Sequence, residues 1–232
     1  MQNGLCVVPL AAVYALPDYG SELVNQLLFG EGVLILETPA GLFCKVRGVY
    51  DGYEGWVHKT QVQVTDKVTA TPLVQTAIAW QSDLNMWLPM GSVLPAGIIT
   101  APPLPDEGVL RAVAMQWLHA PYLWGGRSVL GVDCSGFTQV VYKMVGFVLP
   151  RDAKQQVQLG TALNFLQEAK CGDLAFFDNE QGDIIHVGIL LSDAEIIHAA
   201  GKVRIDKIDN AGIVNSSTGL RTHRLRIIKR YF

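Results

Sequence analysis

The stretch "VDCSGFTQVVYKMVGFVLPRDAKQQ", residues 132–156, sets Cys134 between an aspartate and a serine, directly ahead of an apolar run. Apolar residues in "CSGFTQVVYKMVG" recur at helical spacing and stop at Gly146, which predicts a helix beginning at Cys134. Asp133 then stands where an N-cap belongs. A thiol, with an ordinary pKa of about 8.5, is a modest nucleophile at neutral pH. A helix N-terminus and an imidazole against the sulfur both favour the thiolate. The position suits a nucleophile and a packed structural cysteine alike, and a cysteine on an apolar helix is more often the latter.

Of the 232 residues, 50% are hydrophobic and 17% charged, the balance of a folded protein with a real core in one large domain or two small ones. A net charge of -3, a pI of about 5.9 and the lack of a basic run exclude the electrostatic footprint of a nucleic-acid binder. Cys6, Cys44, Cys134 and Cys171 form no CxxC pair and no zinc-ribbon pattern, so a disulfide framework is not expected. "LCVVPLAAVYAL" has the length of a signal-peptide core, but no Lys or Arg precedes it and Pro9 interrupts it. It reads as a β-strand. The expected location is cytoplasmic, with a periplasmic or exported form as the alternative. No stretch approaches the roughly 18 to 20 apolar residues of a membrane helix, and no membrane partner is expected.

Residues 1–65 read as short strands, "GVLILE", "FCKVRGVY" and "GWVHKTQVQV" among them, separated by turn residues as in a small barrel. Residues 66–107 are expected to hold a few more strands, a truncated second copy, and a linker at "APPLPDEG". Residues 108–232 form the third part. "EGVLRAVAMQWLHAPY" predicts a helix ending at Pro121, and a Gly-rich loop, "YLWGGRSVLGVDCSG", leads to the cysteine. "CGDLAFFD", "HVGILLS" and "EIIHAAG" read as consecutive antiparallel strands, so the fold class is α+β, with helices packed on an antiparallel sheet.

Of five histidines, His58 and His119 read as surface or loop residues. His186 opens one predicted strand and His198 lies near the end of the next, ends that meet in an antiparallel hairpin. One could pair with the thiol and the other orient it, with histidine in place of the usual carboxylate or amide. A lone strand histidine is more often core, and Cys, His and His could also ligate zinc, although the thiol lacks a close partner ligand.

"PYLWGG", "GVDCSGF", "LPRDAKQQ", "GDLAFF", "HVGILL" and "IIHAAG" occur in that order. The set resembles the NlpC-type cysteine peptidases, papain-like enzymes that cut bacterial cell-wall peptides. The resemblance implies Cys134 as nucleophile, His186 as its base and His198 as the residue that orients the base, with no metal and no cofactor. Tyr122 is a candidate oxyanion donor. Trp124, Asp133 and Ser135 match positions that line the family's cleft, against the plainer readings of packing, capping and helix-start satisfaction.

"YGSELVNQLLFGEGVLILE" and "YDGYEGWV" are similar to the bacterial SH3-like domain fused to one subgroup, the γ-D-glutamyl-L-diamino acid endopeptidases. That resemblance implies substrates such as L-Ala-γ-D-Glu-diaminopimelate, with a free amine met by Glu22, Tyr53 and Asp152; Glu31 rivals Glu22. Ala153 stands where the family often has Ser or Thr, so one substrate hydrogen bond is in doubt. The rivals are a wall-binding module on intact peptidoglycan and an amidase or acyltransferase on the same fold.

Overall fold

The structure is a computed structural model that describes residues 2–66, 73–74, 76–94 and 106–232. Most of "APPLPDEG" lies outside the described residues. The chain divides into two compact units, Met1–Pro102 with Leu123–Gly131, and Pro103–Tyr122 with Val132–Phe232.

In the first unit, β1 (Gln2–Cys6), β2 (Leu10–Tyr14), β3 (Leu23–Leu28), β4 (Gly32–Glu37), β5 (Phe43–Gly48), β6 (Glu54–His58) and β7 (Val62–Val64) form an antiparallel sheet in the order β3-β2-β6-β5-β4-β1-β7. Alternate residues turn inward, as a one-sided sheet requires: Ala11 and Val13, Val33 and Ile35, Cys44 and Val46 join one apolar cluster. "LCVVPLAAVYAL" is two strands rather than one, because the Pro9 segment breaks it between β1 and β2. Among the described residues of 66–107, the strands are one hairpin, β8 (Ile78–Gln81) with β9 (Met86–Pro89), over a small core of Val74, Leu88 and Leu94.

The segment Leu123–Gly131, with the short ribbon β10 (Arg127–Ser128) and β11 (Gly131–Val132), follows the first unit because Arg127 is built into it. Its guanidinium donates to Glu31 Oε2 at 2.8 Å and Oε1 at 3.0 Å, and to the Gln26 carbonyl at 2.7 Å. Gly125 sits at φ +77°, and a Cβ there would lie 2.4 Å from the Leu23 carbonyl oxygen, so only glycine passes.

The second unit holds α1 (Glu107–Met115), α2 (Cys134–Met144), α3 (Ala153–Gln156) and strands β12 (Thr161–Leu163), β13 (Leu174–Asp178), β14 (Ile184–Leu190), β15 (Glu195–Ala200), β16 (Lys202–Asp209), β17 (Gly212–Val214) and β18 (Arg221–Arg230). α1 stops short of Pro121: Gln116, Trp117 and Leu118 donate three residues back, and His119 takes φ 71°. The sheet order β12-β18-β13-β14-β15-β16-β17 carries a further β17–β18 pairing, so β13 to β18 close into a ring. The expected sheet is therefore a closed one, and the unit is strand-rich with few helices. Ala175, Phe177, Leu190, Ile196, Ile208, Ile213 and Ile228, drawn from all six strands, make one cluster inside it. α2 lies against β14 and β15 with every residue buried.

Both Arg127 and Glu31 are almost fully buried. Removing one partner strands the other charge, so Arg127→Met should lower stability by about 3 to 5 kcal/mol. Urea titration should find much of that loss recovered in the double variant Arg127→Met/Glu31→Leu.

Candidate active site

The thiol's place is fixed by polar contacts around the first turn of α2. Asp133 Oδ1 accepts from the Gly136 amide at 2.7 Å, the N-cap bond that starts the helix. The buried Arg151 grips the same carboxylate twice, Nη1 on Oδ1 at 2.9 Å and Nη2 on Oδ2 at 2.6 Å, and Nη1 donates to Ser135 Oγ at 3.0 Å. Gln156 Nε2 donates to the Ser135 carbonyl at 3.1 Å and the Pro150 carbonyl at 2.9 Å. The Thr138 hydroxyl donates to Gln156 Oε1 at 2.8 Å.

Cys134 is the first residue of α2 and 7% exposed. Burial, then the negative charge of Asp133, push its thiol up to about 12; the amides of Val187 and Ser135 and the charge of Arg151 act the other way. The backbone of Val187, the residue that follows His186, is among the groups that favour the thiolate.

The imidazoles sit inside one end of the barrel. His186 lies opposite Phe177 and two strand positions from Gly188, while Asp206 lies opposite Ile196 and His223 opposite Ile213. With His198 two positions from Ile196, these polar side chains share the inward face with the apolar cluster. His186 Nε2 and His198 Nδ1 are 2.8 Å apart, and His198 Nε2 is 3.0 Å from Asp206 Oδ2. Asp206 also accepts from Arg204 Nε at 2.8 Å and from the Ser216 amide at 2.8 Å. The His223 ring stacks on His186 with centroids 4.2 Å apart and planes 26° apart. A Cβ at Gly188 would meet His198 Cβ at 2.8 Å, so the close approach of β14 and β15 here depends on that glycine.

Burial, followed by the neighbouring His198, His223 and Arg204, holds His186 well below the ordinary histidine range. Burial likewise lowers His198, against the pull of Asp206. Burial opposes ionisation of Asp206, but the bonds from His198 and Ser216 and the charges of His198 and Arg204 outweigh it and hold the carboxyl well below its usual range. Burial, His198 and Arg204 bring His223 down to about 4. Alone, each of Cys134 and His186 is neutral.

Tyr122 is 37% exposed, and burial followed by the charges of Cys134 and Asp133 pushes its phenol up to about 12, which puts it within electrostatic reach of the thiol. Asp133 and Ser135 are buried in the Arg151 network. Asp152 is half-buried at the start of α3, its amide donating to Gln155 Oε1 at 3.4 Å.

Within the first unit, the exposed Trp124 donates its Nε1–H to Glu22 Oε1 at 2.7 Å. Tyr53 is half-buried there. Glu31 is committed to Arg127 and to the Leu28 amide, which separates it from Glu22 as an acid at the surface. Sequence reading missed Arg151, Arg204, Asp206 and His223 as parts of the site. The alternation in "KVRIDKID", on the strand that turns back along His198, was the available signal for Arg204 and Asp206.

The NlpC/P60 family model matches residues 119–222, and the bacterial dipeptidyl-peptidase SH3 domain model matches residues 13–62. The chain is 34% identical over 126 residues to the γ-D-glutamyl-L-lysine dipeptidyl-peptidase of Bacillus cereus (strain ATCC 10987 / NRS 248), an alignment covering 52% of this chain and 38% of that one. It is 27% identical to dipeptidyl-peptidase 6 of Lysinibacillus sphaericus over 89% of this chain and 92% of the relative. The chain thus spans well under half of the first relative's length and nearly all of the second's. A solved NlpC/P60 family protein from Bacillus cereus ATCC 10987 shares the fold, with a TM-score of 0.79 and 21% identity over 99% of both chains. The chain carries an NlpC/P60 family domain together with a bacterial dipeptidyl-peptidase SH3 domain.

Proposed function

We propose that this protein is a papain-like cysteine endopeptidase that hydrolyses the γ-D-glutamyl–diamino acid bond of cell-wall peptides with a free N-terminal L-alanine. The observation that carries the reading is the 2.8 Å contact between His186 and His198 next to a buried thiol at a helix N-terminus. The relatives named as γ-D-glutamyl-L-lysine and related dipeptidyl-peptidases support the substrate class. The physiological role that follows is recycling of murein peptides, with a cytoplasmic site of action.

In this mechanism Cys134 Sγ attacks the γ-glutamyl carbonyl carbon as its proton passes to His186. The oxyanion forms against the Cys134 amide and the Tyr122 hydroxyl. His186 returns the proton to the leaving amine as the C–N bond breaks, which leaves a thioester. Water then adds to the thioester with His186 as base, releasing the γ-carboxylate and restoring the thiol. His198 holds the His186 ring. Asp152 is the acid assigned to the substrate's ammonium on the catalytic unit, and Glu22 and Tyr53 are the acceptors assigned on the SH3-like unit. Trp124 holds the Glu22 carboxylate through its indole N–H.

Cys134→Ala should abolish turnover with the fold intact, and full activity in that variant would overturn the cysteine mechanism. His186→Ala should lose activity about as completely, since the two groups act as a unit. His198→Gln should be milder, because an amide can still orient the ring. Iodoacetamide should alkylate Cys134 of the native protein faster than Cys6, whose buried thiol is pushed up to about 12. In His186→Ala the proton has no acceptor, so alkylation of Cys134 should slow at neutral pH and rise only as pH climbs toward the buried thiol's own range near 12.

The free amine supplies the second test. An acylated alanine would remove the positive charge that these acids face, a loss of about 3 to 5 kcal/mol, or roughly two to four orders of magnitude in rate. kcat/KM for L-Ala-γ-D-Glu-diaminopimelate should exceed that for its N-acetyl form by about that factor, and Asp152→Asn or Glu22→Gln should narrow the gap. Equal values would overturn the amine reading in favour of action on intact wall.

A further inference from the structure

We infer that Asp206 is a positioning residue of the active site: its carboxylate sets the direction of the hydrogen bonds through His198 so that Nδ1 of His186 is left without a proton. The inference rests on the proposed reading of Cys134 and His186 as nucleophile and base. It concerns a group two side chains away from the sulfur.

A histidine that orients a second histidine has an ambiguity that an amide or carboxylate does not. Each neutral imidazole has one donor and one acceptor nitrogen, and the 2.8 Å contact between His186 Nε2 and His198 Nδ1 can run either way. If His198 donates, the His186 proton sits on Nδ1 and that nitrogen cannot accept the thiol proton. If His198 accepts, Nδ1 is bare. Asp206 decides between the two.

Its Oδ2 lies 3.0 Å from His198 Nε2 and 2.8 Å from Arg204 Nε, and its Oδ1 takes the Ser216 amide at 2.8 Å. Two fixed donors, the Arg204 guanidinium and the Ser216 amide, converge on one buried carboxyl, and this is the environment of an ionised group. An ionised carboxylate only accepts, so Nε2 of His198 must carry the proton. Burial keeps His198 neutral, so its Nδ1 holds a lone pair and accepts from His186 Nε2–H. Neutral His186, with its proton on Nε2, then has a bare Nδ1. The opposite polarity needs a protonated Asp206 against Arg204.

The groups that act on His186 are His198 on β15, Arg204 on β16, His223 on β18 and Phe177 on β13; Asp206 on β16 reaches it through His198. Asp206 favours positive charge on the imidazoles through its bond to His198, while Arg204 opposes it. Removing the carboxylate should therefore lower the pH at which His186 titrates.

The test is 15N NMR of histidine-labelled wild-type protein at neutral pH, together with kinetics of Asp206→Asn and Arg204→Gln. In the wild type, His186 and His198 should both be neutral with the proton on Nε2. Asp206→Asn should give mixed or reversed tautomers, kcat lower by about 10- to 100-fold with KM near its original value, and an acid limb moved to lower pH. Alkylation of Cys134 should slow in the same variant. Arg204→Gln, which keeps the carboxylate, should keep the wild-type tautomers. A proton on Nδ1 of His186 in the wild type overturns the inference, as does a folded Asp206→Asn protein with unchanged kcat and acid limb. If Asp206→Asn does not fold, the wild-type spectrum alone decides. Failure of the wild type to cleave the γ-D-glutamyl peptide would sink the substrate reading, while the spectrum and the alkylation rates still read the role of Asp206.

Discussion

The second unit is organised around the buried pair of Asp133 and Arg151. A helix N-terminus leaves several amides without partners, and Asp133 meets one of them through Gly136. A buried carboxylate needs a countercharge, and Arg151 supplies it at 2.6 and 2.9 Å. The pair explains why the cysteine motif and the "PRDAKQQ" run belong together. Arg151 and Gln156 stitch the run onto the first turn of α2, and Asp152 between them is placed by the same contacts. The arrangement has an electrostatic cost. The cap charge that builds the helix start opposes a thiolate one residue away, and Arg151 offsets that opposition.

The barrel places the other half of the chemistry. β14, β15 and β16 present His186, His198 and Asp206 on one inward face, and Gly188 lets two of these strands approach closely at His198. Below them the interior is apolar, so the polar groups at that end must satisfy one another. They do so in series, from Arg204 and Ser216 to Asp206, then His198, then His186. The rigidity and the proton direction of the site come from the same set of bonds.

In the first unit a second buried ion pair has a comparable part. Arg127 reaches Glu31 and the Gln26 carbonyl, and its own amide donates to Gln26 Oε1 at 2.7 Å. Thus the Gly-rich segment before Cys134 is tied to the SH3-like sheet although it lies far along the chain from it. One segment of that sheet therefore carries two acids of different use, Glu31 spent on structure and Glu22 presented at the surface beside Trp124.

The helix start at Cys134, the stop of α2 ahead of Gly146 and the succession of β13, β14 and β15 were legible in the sequence, because local periodicity, capping and turn residues carry that information. The nearness of His186 and His198 was legible too, since a hairpin brings together the start of one strand and the end of the next. Closure of the sheet through β17 and β18 was not, because nothing local to either strand names its partner across the barrel. Nor could the sequence choose between Glu22 and Glu31, for only the fold puts Arg127 against one of them. Asp206, Arg204, His223 and Arg151 read as ordinary strand and loop residues. Tertiary packing buried Asp206 and Arg151 and drew the half-buried Arg204 and His223 against the same cluster, since a buried charge or imidazole must be paired, and pairing is settled by position in space and not by order in the chain.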